Sequence, residues 1–180
     1  PARVDTMGKN LFYQCSNLTT VTFEEGGAAL TVGDSAFAKC IKLKTIALPA
    51  YTTEIGKYAF EEAGLTSFTI PELITELKEG VLKTTQIAEI HIPANVEKIA
   101  DGAFAYAKLE NITFADGDKP LVLGTLENTD DENGVFYETH IKNLVLGDRV
   151  TVIGAYALHR SKTLQSLSMG PNSQLTDIGK

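Results

Sequence analysis

Residues Ile87 to Phe104 read IAEIHIPANVEKIADGAF, and the order of the parts in this stretch decides the fold. A short alternating run (Ile87, Ile90, Ile92) is stopped by Pro93. A second apolar pair (Val96, Ile99) follows, then a small-residue turn into Ala103-Phe104. The rest of the chain repeats this phrase with variations, and self-similarity at a fixed period is the signature of a repeat architecture.

Aligned on the turn, the copies are Gly8 to Phe12, Gly33 to Phe37, Gly56 to Phe60, Lys78 to Leu82, Ala100 to Phe104, Glu132 to Phe136 and Gly154 to Leu158. Their starts lie 25, 23, 22, 22, 32 and 22 residues apart, so one interval carries an insertion, placed at 115–131. After each turn comes a second phrase: LTTVTF from Leu18, LKTIAL from Leu43, LTSFTI from Leu65, IAEIHI from Ile87, LENITF from Leu109, IKNLVL from Ile141 and LQSLSM from Leu164. Apolar residues hold its positions 1, 4 and 6, which predicts seven short strands with one face buried. Strands this short and this evenly spaced imply a stacked parallel sheet. Pro49, Pro71 and Pro93 follow the strand directly, where a missing backbone donor ends pairing.

A third phrase closes each circuit, for example Thr52-x-x-Ile55, Val96-x-x-Ile99 and Val150-x-x-Ile153. It leads into the turn and the Ala-Phe pair, whose pattern suits one or two helical turns. The expectation is therefore an α/β solenoid of about seven stacked repeats. All eight phenylalanines fall in two columns, after the turn or within the strands, which assigns them to stacked core rather than to a ligand box. Three residues after the Phe/Leu position runs a small-residue column: Cys15, Cys40, Ala63, Thr85, Ala107, Thr139 and Ser161. The two cysteines are then neighbours in a tight column and read first as buried thiols, with a bridge left open as the second reading.

The bulk numbers exclude several functions. A formal charge of -7 and a pI near 5.0 argue against nucleic acid, which needs a basic face, and against an anionic bilayer. No apolar run approaches the ~20 residues of a membrane span. Two cysteines and three histidines leave neither a disulfide scaffold nor a metal cage, and no nucleophile elbow or phosphate-cradling glycine loop is present. No cofactor, metal or catalytic residue is expected, and the chain is read as a non-enzyme.

Strand, proline, Val-x-x-Ile, Gly-x-x-Ala-Phe-x-x-Cys and leucine together resemble the BspA-like (Treponema-type) leucine-rich repeat, most fully in GDSAFAKCIKLKTIALPAYTTEIGKYAF over residues 33 to 60. FEEGGAALTVG from Phe23 and FADGDKPLVLG from Phe114 look like a loop variant of the same family. The resemblance implies a right-handed leucine-rich-repeat solenoid with a parallel sheet on its concave face. It also implies a secreted or cell-surface protein of a host-associated bacterium, used in adhesion to host matrix proteins, other cell-surface proteins or glycans. The alternative reading is a structural spacer that displays another domain. Residues 1–180 are read as one leucine-rich-repeat domain, a fragment of a longer array.

Strand positions 3 and 5 should line the concave face. The candidates there are Ser67, Thr69, Glu89, His91, Asn111, Thr113 and Asn143, a mostly neutral hydrogen-bonding row without aromatic anchors. Thr and Ser are also ordinary exposed strand residues whose ladders stabilise a sheet. Glu89 and His91 resemble half of an acid–base pair, but general-base chemistry also needs a cavity and an orienting third group. The acidic insertion (Asp116, Asp118, Glu127, Asp130, Asp131) lacks the spacing of a calcium loop and reads as solvated charge.

Overall fold

The computed structural model describes residues 4–179. Its strands run β1 (Thr6–Met7), β2 (Leu30–Val32), β3 (Thr52–Ile55), β4 (Glu76–Leu77), β5 (Glu89–Ile92), β6 (Lys98–Ile99), β7 (Asn111–Phe114), β8 (Leu121–Leu123), β9 (Asn143–Leu146), β10 (Val150–Ile153), β11 (Ser166–Met169) and β12 (Asp177–Ile178). All pairings among them are parallel, and each repeat adds one rung to a parallel β-solenoid of about eight turns. Three segments of every repeat stack on their counterparts: a front phrase, the Val-x-x-Ile phrase and the turn.

The Val-x-x-Ile phrase forms the longer ladder, a 3-stranded sheet β1-β2-β3 and a 5-stranded sheet β12-β10-β8-β6-β4. The sequence hides these strands because their buried residues are spaced i, i+3 rather than i, i+2. The cause is a bulge. Leu30 opposes Thr52 but Thr31 opposes Glu54, leaving Thr53 unmatched. Thr151 is skipped in the same way between β8 and β10. The front phrase pairs β5 with β7 and β9 with β11. The phrases at 43–48 and 65–70 keep the buried alternation (Leu43, Ile46; Leu65, Phe68, Ile70) and that at 18–23 keeps it half-buried (Leu18, Val21, Phe23), but none of the three is a strand. Alternation reports burial, and burial needs only the core column. Pairing also needs two backbones about 4.8 Å apart.

The helical turns expected around Ala-Phe do not form, and among the described residues the chain has no helix. Backbone N–H groups explain why. In the first rung Leu11, Tyr13 and Cys15 donate three residues back, to Gly8, Asn10 and Phe12. The alternate residues Asn10, Phe12 and Gln14 donate instead to Asp34, Ala36 and Ala38 of the next rung. Ser35, Phe37 and Lys39 repeat this onto Lys57, Ala59 and Glu61, and Phe136 and Glu138 onto Ala157 and His159. An α-helix would claim every N–H for itself. The alternation is reached by putting the residues two before and two after the core ring at positive φ, as in Asn10 (59°) and Gln14 (60°), Ser35 (52°) and Lys39 (62°), or Tyr58 (55°) and Glu62 (53°). Such φ values are uncommon outside glycine. Here they recur because each frees an N–H for the neighbouring rung.

The core runs along the axis. Phe12, Phe37 and Phe60 stack at 5.2 and 5.4 Å, Phe104 and Phe136 at 5.8 Å, and Leu82 fills the column between Phe60 and Phe104. In the small-residue column both cysteines are free thiols, but the expected burial holds only for Cys40; Cys15 is exposed. The buried Cys40 Sγ donates to the Phe12 carbonyl of the preceding rung at 3.1 Å, as Ser161 Oγ donates to Phe136 at 3.1 Å. Burial pushes the Cys40 thiol up to about 11, so it stays protonated at neutral pH.

Within the 115–131 segment, Leu121–Leu123 is the regular strand β8, and Gly124 N–H bonds Ile99 O at 2.8 Å. That is the bond Gly56 makes to Val32 (2.7 Å), so Gly124 holds the turn-glycine position to which spacing assigns Glu132. The residues that interrupt the column therefore follow Gly124 and end where Gly134 re-enters the stack. A Cβ at Gly134 would lie 1.9 Å from Tyr156 O, so only glycine fits.

Each loop-variant rung is pinned from the next one. Tyr51 Oη donates to Glu24 O at 2.7 Å, just after Phe23. Arg149, at the equivalent place before β10, is 2 % exposed and donates from Nε to Ala115 O (3.0 Å), from Nη1 to Val96 O (2.6 Å) and from Nη2 to Pro93 O (2.9 Å). Its partners are backbone carbonyls, and burial pushes the guanidinium below its ordinary value, against the pull of Glu97. Arg149→Ala strips the side-chain donor from three carbonyls, of which Pro93 O keeps the Val96 N–H, and opens a cavity, and should cost about 3 kcal/mol in urea unfolding. Tyr51→Phe removes one solvent-exposed bond and should cost about 0.5–1 kcal/mol. Equal costs for the two would contradict the account.

Candidate functional site

The candidate row lies where alternation puts it. In β5, Glu89 and His91 are exposed while Ile90 and Ile92 are buried. The β5–β7 register sets Glu89 opposite Asn111 and His91 opposite Thr113. Ser67, Thr69, Glu89, His91, Asn111 and Thr113 together line one shallow depression of about 220 Å³, floored by Phe68 and Ile90. Asn143 lies one rung further, in a depression of about 360 Å³ that shares Thr113.

His91 Nδ1 shares a hydrogen bond with Thr113 Oγ1 at 2.9 Å, so the histidine is engaged across the ladder rather than with Glu89. Asn143 Oδ1 likewise accepts from Ser166 Oγ at 2.7 Å. The surface is open, and its groups can donate and accept hydrogen bonds to a docked partner. The bond to Thr113 does not join His91 to Glu89, so the two are not set as an acid–base pair.

The inserted loop is folded on itself. Asn128 Oδ1 accepts from Asp130 N–H, Asp130 Oδ1 from Glu132 N–H (both 3.0 Å), and Asn128 Nδ2 donates to Asn133 O at 3.2 Å. His159 Nδ1 bonds the Asp131 carbonyl at 2.8 Å and ties the loop to the next rung. The Asp130 carboxylate thus closes a turn. Among the described residues no group of three His, Cys, Asp or Glu side chains is placed to hold a metal.

Two clusters escape the sequence reading. Behind the loop, Tyr137 is fully buried, edge-on to Tyr106 (5.0 Å) and His159 (5.7 Å), and its hydroxyl accepts from Arg160 Nη1 at 2.7 Å. Burial, and then the hydrogen bond to Tyr137, pushes the Tyr106 phenol up to about 12. These aromatics sit just past the core ring, outside the repeat pattern.

The second cluster is a groove of about 620 Å³ across the Val-x-x-Ile sheet, lined by Glu54, Lys57, Glu76, Lys78, Glu79 and Lys98. Its charges pair between neighbouring rungs: Lys57–Glu79 and Lys98–Glu76 at 3.0 Å, and Lys78–Glu54. The signal in the sequence is a Glu and a Lys placed one period apart. Exposed pairs of this kind contribute about 0–1 kcal/mol each, so they fix rung register more than they stabilise.

Glu79 also accepts from the Tyr58 hydroxyl, and this bond, then Lys57, holds its carboxyl below the ordinary 4.5. A lowered carboxylate pKa contributes stability that is complete above the ordinary value and lost as pH falls through the folded value. Wild-type protein should therefore melt about 1–2 °C above Glu79→Gln near about pH 7, with the gap closing as the solution is acidified below the ordinary carboxylate range. A gap that persists unchanged into acid would contradict this assignment.

The family model for the BspA type leucine rich repeat region matches residues 2–124 and 129–180 in 6 copies. The unmatched residues 125–128 belong to the inserted loop. No curated protein matches the chain. A solved leucine-rich repeat protein from Bacteroides ovatus ATCC 8483 is similar over 100% of this chain at 18% identity, with a TM-score of 0.52. A leucine rich cell surface protein from Faecalibacterium prausnitzii A2-165 is similar over 94% at 19% identity, with a TM-score of 0.50. The chain spans 61% and 34% of the lengths of those two proteins. Similarity at this identity establishes the fold.

Proposed function

The chain belongs to the BspA-type leucine-rich repeat family, and from that premise we propose that it is a non-enzymatic interaction and adhesion module of a bacterial cell-surface or secreted protein. Leucine-rich repeats generally mediate protein interactions. The observation that carries the reading is the gathering of Ser67, Thr69, Glu89, His91, Asn111 and Thr113 into one exposed depression on a rigid ladder. Side chains held on stacked strands are pre-organised, which lowers the entropy lost on binding. The partner is a host matrix protein, another cell-surface protein or a glycan. One of the two similar solved proteins is itself described as a cell surface protein, which supports the proposed location.

The spacer reading has its own support. His91–Thr113 and Ser166–Asn143 are bonds within the ladder, as expected of side chains that only stabilise a sheet.

The two readings separate on one variant. Glu89→Ala, His91→Ala and Asn111→Ala combined should weaken capture on a panel of immobilised host matrix proteins and glycans by more than tenfold. The melt should remain within about 0.5 kcal/mol of wild type, because all three side chains are exposed. Unchanged capture by this variant would leave the chain a spacer.

A further inference from the structure

The small-residue column holds its two cysteines in adjacent rungs. Cys15 and Cys40 each lie three residues past a core ring, Phe12 and Phe37, whose centroids are 5.2 Å apart. Each directly follows a residue at positive φ, Gln14 (60°) and Lys39 (62°), and Gln14 N–H bonds Ala38 O at 2.9 Å. The two cysteines therefore hold the same place in two turns, one rung apart. Backbones stacked about 4.8 Å apart fall within the roughly 4.4–6.8 Å Cα separation that a disulfide spans.

The sulfur of Cys40 also leans toward its neighbour. The two threonines of this column bond the carbonyl of their own rung, Thr85 Oγ1 to Leu82 O at 2.8 Å and Thr139 Oγ1 to Phe136 O at 3.0 Å. Cys40 Sγ instead donates back to Phe12 O at 3.1 Å, and the same oxygen accepts the Cys15 N–H at 3.0 Å. One carbonyl thus holds both the Cys40 sulfur and the Cys15 backbone. Burial, and then Cys15 itself, raises the Cys40 thiol to about 11, and the Cys15 N–H beside the same sulfur opposes the rise. Cys15 is exposed, so its side chain can turn onto Cys40 without displacing a packed neighbour.

We propose that Cys15 and Cys40 are a redox pair, converted by a small-molecule disulfide into a covalent bridge between the first two rungs. The exposed Cys15 thiolate attacks the oxidant; one of its sulfurs bonds to Cys15 and the other leaves as a thiolate. Cys40 then attacks the Cys15 sulfur, the protein disulfide forms, and the second small thiolate leaves and takes up the Cys40 proton. Two protein thiols are oxidised and one small disulfide is reduced to two thiols. Burial keeps Cys40 protonated and makes the second step the slow one, which the high local concentration of adjacent rungs offsets. The bridge closes a loop of 25 residues. It ties the first turn, whose Phe12 is only half-buried, to the second, whose Phe37 is fully buried. Disulfides persist in the oxidising surroundings of surface and secreted proteins. The pair lies on the turn side, so the proposal is independent of what the front face binds.

The test is incubation of the native protein with glutathione disulfide at neutral pH, a quench with iodoacetamide, and intact mass with peptide mapping. Wild type should lose two hydrogens and retain no glutathione, with Cys15 and Cys40 in one cross-linked pair of peptides. Cys40→Ala, matching Ala63 one rung on, should instead trap glutathione on Cys15, and Cys15→Ser should leave Cys40 unmodified. Oxidation should slow amide exchange at Phe12 and Gln14 by about tenfold or more, and dithiothreitol should restore the original rate. Circular dichroism identifies any variant that fails to fold, and Cys40→Ser then serves as the second probe. Glutathione retained on wild-type Cys15, a dimer bridged through Cys15, or a bridge that forms only in urea overturns the proposal. A bridge that leaves exchange at Phe12 and Gln14 unchanged overturns its role in pinning the first turn.

Discussion

The structure depends on where the turn-side N–H groups go. In the first three turns every second one is given to the next rung, in the next three those at the core ring and two residues past it are, and the rest are spent locally on three-residue turns. The strand-closing residues Gly33, Gly56, Ala100 and Gly124 donate the other way, to the preceding rung. A rung is thus bonded forward on one side and backward on the other, and cannot satisfy its backbone alone. Neighbour-to-neighbour stability is the rule in repeat arrays. Its source here is a backbone that forgoes helix to bond outward, with positive φ at residues such as Tyr58 and Tyr106 as the local cost.

Much of this was legible in the residues, because stacking forces columns. The apolar positions of IAEIHI, the ring at Phe104 and the small residues at Ala107 and Thr85 each predict a buried column, and each is buried. The row from Ser67 to Asn143 follows from the same alternation and lies exposed on the front face. What could not be read depends on backbone bonding rather than burial. A bulge at Thr53 turns a strand into an i, i+3 pattern, and the alternating N–H partners turn an apparent helix into a ladder of turns. Nothing in its own repeat marks Arg149, because the carbonyls it meets lie at Pro93, Val96 and Ala115.

An open stack of this kind limits its chemistry. Side chains are delivered one rung apart on faces that solvent reaches, which favours extended recognition over an enclosed reaction site. The departures from the repeat sit to one side of the front face. The inserted loop, held by His159 and backed by Tyr137 and Arg160, packs over the turns. The charge pairs occupy the Val-x-x-Ile sheet. The front face carries Thr, Ser and Asn together with Glu89 and His91, repeated at the spacing of the backbone itself.

Native-state amide hydrogen exchange tests the central claim most directly. The forward-donating amides of Ser35, Phe37, Lys39, Tyr58, Phe60 and Glu62 should exchange far more slowly than those of the exposed segment 24–28, although both lie outside helix and strand. Fast exchange at Phe37 and Phe60, comparable to that segment, would mean the turns do not bond between rungs, and the account of the fold would fail.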